Sequence, residues 1–372
     1  MVSIKSPIDI LVFVQDPGAA NFIAPLVKGI LDKGLRIKIL TDGIARDHLT
    51  LRGIANKLIL PGISAADVID EYAPRLLAVG TACNPDTFAF PLIHAARDAG
   101  IQSIGFIDAA MNHEKRFSGR SDDALFHAPD WILVPDSSIK KLFVDLGAPT
   151  DHVVECGHPH YDYVRELGMK YAKEDRKKMR TRLFPGLEPC QKVILFISET
   201  SARIAPLNPE VRKDFTFSGR GSAKGRTEVI LEELFDAAGL LEKRPFIVLR
   251  AHPKDVLGDY AKYDTELDLV SYGGEPHEIL YAADLVVGMT SMCMIEATLM
   301  GRSTLAVIPR VAEKNWLPSF CRERISFATD RDGLNSKLID FVTSCDEDKA
   351  FDYMIPKSTG RIISLIDKIL AD

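Results

Sequence analysis

Ile8-Asp9-Ile10-Leu11-Val12-Phe13-Val14 is a short run rich in Ile and Val; Gln15-Asp16-Pro17-Gly18-Ala19-Ala20-Asn21 follows, and then a helical pattern from Phe22 to Leu31. This reads as strand, turn and helix. The pattern recurs. Further strands are expected near Arg36–Leu40, Lys57–Leu60, Arg75–Val79, Ser103–Ile107, Trp131–Val134 and His152–Cys156, with helices near Ala65–Tyr72, Pro91–Ala99 and Ser137–Leu146. Alternation of this kind through short loops predicts a parallel sheet covered by helices on both faces.

A second series begins after Gly157-His158-Pro159. Behind a charged helix expected over Tyr161–Leu183, strands near Lys192–Ile197, Pro245–Leu249, Asp268–Ser271, Asp284–Val287 and Ser303–Ile308 alternate with helices near Thr227–Leu241, His277–Tyr281 and Ser291–Met300. The fold class expected is therefore α/β, with two doubly wound Rossmann-like domains facing a cleft. The expected divisions are 1–157, 158–350 and a C-terminal helix in 351–372, where Ser358–Leu370 is amphipathic and either caps the second domain or crosses back to the first. Between the second domain's first strand and its next helix, 212–226 shows little hydrophobic periodicity. It reads as a flexible basic insertion, either solvated or a lid whose Arg220, Lys224 or Arg226 meets an anion.

The length of 372 residues suits two domains, and 46% apolar with 26% charged residues is ordinary for a globular chain. A net charge of −6 argues against a general nucleic-acid binder. No uncharged apolar stretch approaches the roughly 18 residues of a membrane span, and Asp9 interrupts the only apolar run near the N-terminus, so neither a transmembrane segment nor a secretory signal is expected. A cytoplasmic location is expected, with peripheral membrane association and oligomeric state left open. The six cysteines are scattered without a Cys-x-x-Cys pair and read as reduced thiols.

In doubly wound sheets ligands bind beyond the carboxyl ends of the strands, which selects few positions. In the second domain these are Ser198-Glu199-Thr200-Ser201, Arg250-Ala251-His252-Pro253-Lys254 and Gly288-Met289-Thr290-Ser291-Met292. The last opens a helix, where free N–H groups and the Thr290 and Ser291 hydroxyls would hold a phosphate, or where Ser291 would serve as an ordinary N-cap. Arg250, His252 and Lys254 gather three groups able to carry positive charge at one strand end, as a second anion contact would. Glu296, in the same helix, reads either as the acceptor for a ribose diol or as a partly exposed helix residue.

The string from Ala283-Asp284 through Thr290-Ser291 and Glu296 to Gly301, with Gly157-His158-Pro159 and the early Gly18 turn, resembles GT-B glycosyltransferases and the related UDP-N-acetylglucosamine 2-epimerases. More narrowly, His252-Pro253 and Thr290-Ser291 are similar to the His-Pro and Ser/Thr-Ser motifs of bacterial sialyltransferases and capsule enzymes that use CMP-activated acids. The resemblance implies an acceptor-side first domain and a nucleotide-sugar-binding second domain, with 250–254 and 288–292 facing 16–21 and 106–116. It also implies an acidic motif in the first domain that supplies a general base. Asp108, in Phe106-Ile107-Asp108-Ala109-Ala110, is the nearest match after a strand, and Asp16 competes for the role. Gly18 and Asn21 belong to the same turn. His113, Glu114, Lys115 and Arg116 line the acceptor side or form a solvated loop; Asp122-Asp123 reads as a solvated loop.

The expected activity is metal-independent, inverting glycosyl transfer from a nucleotide-sugar donor, best a CMP-linked nonulosonic acid, to a hydroxyl of a surface glycan acceptor, with no cofactor. His158-Pro159-His160 lacks further ligands for a metal, and Asp330-Arg331-Asp332 and Asp346-Glu347-Asp348 read as solvated turns. The rivals are a UDP-sugar-dependent transferase, a 2-epimerase-like enzyme, and a catalytically silent nucleotide-sugar-binding protein.

Overall fold

The structure is a computed structural model that describes residues 8–81, 83–343 and 357–371. Two compact units divide it: residues 1–163 with 354–372, and residues 164–353. The division falls within the helix Pro159–Tyr171 rather than at Gly157.

Unit 1 is a seven-stranded sheet built from β1 (Ile10–Val14), β2 (Ile37–Thr41), β3 (Lys57–Leu58), β4 (Leu76–Gly80), β5 (Gln102–Phe106), β6 (Trp131–Val134) and β7 (Val153–Glu155), in the order β3-β2-β1-β4-β5-β6-β7. Every pairing is parallel. All five residues of β1 are buried because both faces are covered: Ile10, Val12 and Val14 enter one core cluster while Leu11 and Phe13 enter the other. That is why this strand reads as a continuous apolar run. The chain order reverses between β1 and β4, which sets the ligand crevice of this unit at their carboxyl ends.

The opening helix starts at Pro17, five positions earlier than the turn reading of Asp16-Pro17-Gly18 placed it. Proline suits the first helical position, since its missing N–H has no helical partner there. The C-terminal helix Ser358–Ala371 returns to unit 1: Ile362, Ile363, Ile366 and Ile369 join the core cluster of the opening helix, and Lys33 pairs with Asp367 at 2.8 Å.

Unit 2 contains β8 (Val193–Ile197), β9 (Phe246–Arg250), β10 (Leu269–Ser271), β11 (Leu285–Gly288), β12 (Ser303–Val307) and β13 (Ser326–Ala328), in the order β10-β9-β8-β11-β12-β13, again all parallel. Its reversal lies between β8 and β11.

Several expectations change. The single charged helix becomes two, Pro159–Tyr171 and Arg176–Leu183, because Asp175 caps the second by accepting from the N–H groups of Lys177 and Lys178. Asp330 and Asp332 are exposed, but they open a helix rather than a plain turn: Asp330 accepts from the Gly333 N–H at 2.7 Å, and Arg331–Thr343, which contains Asp332, is helical behind the unforeseen strand β13. Asp346 and Asp348 lie outside the described residues. The segment 212–226 is anchored rather than loose, since Phe217 and Ala223 are buried and Glu233 accepts from the N–H groups of Ser218 and Gly219. Among the described residues no helix is long and apolar enough to cross a membrane.

Ile366 of the C-terminal helix is fully buried in the core of unit 1. Ile366→Ala is expected to destabilise unit 1 by about 2–5 kcal/mol, the usual cost of such a core truncation, read by denaturant unfolding.

Candidate functional site

In unit 1 the strand-end loops converge on Arg116. This side chain is buried, and its guanidinium donates to the backbone carbonyls of Thr81, Ala109 and Met111, which belong to the loops after β4 and β5. Its Nη1 also lies 3.1 Å from Asp108 Oδ1. Arg116 is therefore an internal tie rather than part of a solvated loop. Asp108 in turn packs on the opening helix: a Cβ at Gly18 would come within 1.9 Å of Asp108 Oδ2, so only glycine admits the carboxylate there. Gly18 thus serves close approach inside a helical turn, not a reversal of the chain.

Asp16 occupies the N-cap position two residues away, although its side chain does not cap the helix. Asn21 is buried, and its side-chain oxygen sits 2.6 Å from His48 Nε2, which assigns it to packing rather than to ligand. His113 pairs with Glu114 at 3.4 Å, and Asp123 accepts from the Leu125 N–H in a surface turn.

In unit 2 the loops after β8 and β9 are pinned by Asp255, a buried residue the sequence reading passed over. Its carboxylate accepts from the Ser198 hydroxyl (2.7 Å), the Tyr260 hydroxyl (2.8 Å), the Ser201 N–H (2.7 Å) and the His252 N–H (3.1 Å). Ser198 is buried in this network, so its expected ligand role falls away. Nothing in the local sequence marks Asp255 except its place three residues after His252.

His252 is not a third cation. Burial is the largest influence on it and, with the nearby Lys254 charge, outweighs Asp255 and Glu199 to hold its pKa below the ordinary value. Its Nδ1 accepts from the Lys254 N–H at 3.1 Å, which leaves a neutral ring with Nε2–H as the donor. Pro253 is exposed in the same turn. Arg250 donates to the Ser271 hydroxyl (2.9 Å) and the Gly274 carbonyl (2.6 Å), and desolvation lowers its pKa. Neither Arg250 nor the exposed Lys254 makes an ion pair among the described residues.

The helix Met292–Leu299 starts at the carboxyl end of β11. Ser291 is its N-cap, accepting from the Cys293 N–H at 3.3 Å, and Met292 is its first residue. Thr290 is occupied from within the chain: Glu199 Oε1 accepts from its N–H (2.5 Å) and its hydroxyl (2.9 Å), while Glu199 Oε2 lies 3.1 Å from Arg226. Arg226 also pairs with the buried Glu313, which Arg310 joins at 2.5 Å; both guanidiniums stand over the Trp316 ring. Of the lid candidates, Arg220 is spent on Asp236 and Glu266, and Arg226 on Glu199 and Glu313. Lys224 lines a small pocket of about 230 Å³ with Arg203 and Lys262.

Glu296 is buried, not half exposed, and faces His277 Nε2 at 3.7 Å; His277 Nδ1 lies 2.8 Å from Glu275. Burial alone would lower the His277 pKa, but the hydrogen bonds and charges of Glu275 and Glu296 outweigh it and raise the value to about 9. His277 was not singled out by the sequence because one of its partners, Glu296, comes from the helix Met292–Leu299, nineteen residues on.

No protein-family model matches the chain, and no curated protein matches its sequence. Solved structures do match over nearly the whole length. UDP-GlcNAc 2-epimerase from Neisseria meningitidis, bound to UDP-GlcNAc, superposes with a TM-score of 0.65 at 14% identity, covering 97% of this chain and 100% of that one. A glycosyltransferase from Rickettsia africae gives 0.60 at 12% identity over 98% and 94%. HepE from Anabaena, in complex with UDP, gives 0.57 at 14% identity over 98% of each chain. The chain accordingly has the GT-B type of fold, two parallel α/β sheets, that these enzymes share.

His277 supplies a pH test. Its folded-state pKa of about 9 stands above the ordinary 6.5, so its stabilisation is complete below about pH 6.5 and is lost as pH rises through 9. Chemical denaturation at pH 6, 7.5 and 9 should show unit 2 weakening over that window, and His277→Gln should flatten the slope.

Proposed function

We propose that the chain is a nucleotide-sugar-dependent glycosyltransferase whose donor is a UDP-sugar and whose acceptor is a hydroxyl of a surface glycan. The observation that carries the reading is the pair Arg250 and Lys254, neither of which makes a close ion pair among the described residues, at the strand end that also carries the His252 Nε2–H donor. Desolvation makes the Arg250 charge costly even with Glu275 and Glu296 acting on it, and a bound anion offsets that cost, while the exposed Lys254 adds a second positive charge beside it. Two such cations match the charge of a diphosphate better than that of the single phosphate in a CMP-sugar. The UDP and UDP-GlcNAc held by proteins of the same fold support the same nucleotide.

In this reading Asp108 removes the proton of the acceptor hydroxyl as its oxygen bonds to the anomeric carbon. The bond from that carbon to the diphosphate oxygen breaks with inversion, and its electron pair leaves with the diphosphate. His252 Nε2–H, Arg250 and Lys254 stabilise the growing charge; a preorganised donor of this kind is worth about 2.7–4 kcal/mol. Arg116 and Gly18 fix the position of the Asp108 carboxylate.

A second reading, 2-epimerisation of the donor sugar, is supported by the likeness to solved epimerases. It differs by product: an altered free sugar in place of a glycosylated acceptor, with neither formed if the protein only binds.

The donor is tested by thermal unfolding with nucleotides. At a hundredfold excess over Kd, UDP should stabilise the protein by about 2.7 kcal/mol, CMP should do less, and Lys254→Ala should lose most of the UDP effect. Stronger stabilisation by CMP would restore the CMP-nonulosonate donor. For the base, Asp108→Asn should lower kcat by about 10²–10⁴-fold with UDP affinity intact, while Asp16→Asn should be milder; the reverse pattern exchanges their roles.

A further inference from the structure

Glu199 stands where an incoming phosphate would be expected. Its Oε1 takes both donors of Thr290, and its Oε2 takes one end of Arg226. We propose that Glu199 is an internal anion that fills the phosphate subsite at Thr290 and Arg226 in the free protein and has to leave before a ligand phosphate can enter. This inference rests on the reading that unit 2 binds a nucleotide diphosphate.

The surroundings suit an exchangeable carboxylate rather than a structural one. The loop around Glu199 is held without it, because Asp255 fixes Ser198 and Ser201 on either side, and the Thr200 N–H is within reach of the Thr227 hydroxyl at 3.3 Å. Glu199 keeps 19% of its side chain exposed, whereas Glu313, the other partner of Arg226, keeps 2%. When Glu199 swings out, Arg226 remains neutralised by Glu313 and stacked over Trp316, so the subsite keeps its shape. The charge of Glu199 is also felt at His252, which puts it in the same electrostatic neighbourhood as the unpaired Lys254. Entry of a phosphate therefore exchanges one anion for another on the same donors, and the vacated carboxylate passes to water.

Such occupation costs apparent affinity, because only the fraction of molecules with Glu199 displaced is competent to bind. Removing the charge removes that cost. The experiment is calorimetric titration of full-length wild type, Glu199→Gln and Glu199→Asp with two probes, inorganic pyrophosphate and UDP. Glu199→Gln should bind pyrophosphate about tenfold more tightly than wild type, and the gain should fall below about threefold in the Thr290→Val background. Glu199→Asp keeps the charge but is one methylene too short to span Thr290 and Arg226, so it should show a smaller gain; it carries the test if the Gln variant does not fold. Unchanged or weaker pyrophosphate binding in the variants overturns the proposal, since a carboxylate that contacts the ligand, or one that merely braces the loop, gives that result. If pyrophosphate gains in Glu199→Gln while UDP binds no better than pyrophosphate in any variant, the latch stands and the nucleotide reading fails. Absence of binding by both probes in every variant defeats both.

Discussion

The β8–β11 pairing carries a carboxylate contact at each end, and the placement of the strand-end loops of unit 2 depends on that strand pair. At the amino end Asp284 accepts from the Val193 N–H at 2.7 Å and is held by Arg176 (2.9 Å) and Arg180 (2.7 Å). At the carboxyl end Glu199, just past β8, grips Thr290, just past β11. These are the two strands between which the chain order reverses, so the loops that must diverge to make room for a ligand are the loops these contacts join. Asp284 lies away from the ligand end and is purely a brace. Glu199 lies at it, so the same kind of contact there competes with whatever binds.

Charge at the strand ends is sorted by burial. Asp255, Glu313 and Glu296 are buried and each is engaged by neighbouring donors, which is what makes a buried carboxylate tolerable. The cations divide in the opposite way: Arg116 and Arg226 are consumed by internal partners, whereas Arg250 and Lys254 make no close ion pair among the described residues. In a protein of net charge −6, two cations without close ion pairs at one strand end make a local positive region. His252 adds directionality instead of charge, since a neutral ring with Nδ1 already engaged presents one defined donor.

Much of the architecture was legible because parallel sheets buried on both faces write themselves as short apolar runs. Trp131–Val134 and the helix Ala65–Tyr72 lie where the pattern put them, and β1 differs only at its first residues. What misled the reading was chemistry shared by two structural uses. Asp16-Pro17-Gly18 serves a turn as readily as a helix start, and the long charged segment after Gly157 gives no periodic signal of the break that Asp175 imposes. At the site, the strand-end positions were found by topology, but whether each side chain was available to a ligand was not, because availability depends on partners distant in sequence: Asn21 is taken by His48, Ser198 by Asp255 and Thr290 by Glu199.

The sequence by itself determined the two α/β domains, the parallel order and the loops on which chemistry would lie, since periodicity and turn residues are local properties. Only the tertiary structure decided which residues those loops leave to a ligand. Asp108 is set by a guanidinium eight residues on and by a glycine from another strand's helix, His277 is charged because Glu275 and Glu296 close on it, and the donors of Thr290 are taken by Glu199, from the loop after β8 and 91 positions earlier. Hydrogen bonds and ion pairs act over a few ångströms in space with no regard for separation along the chain, so their assignment belongs to the folded molecule.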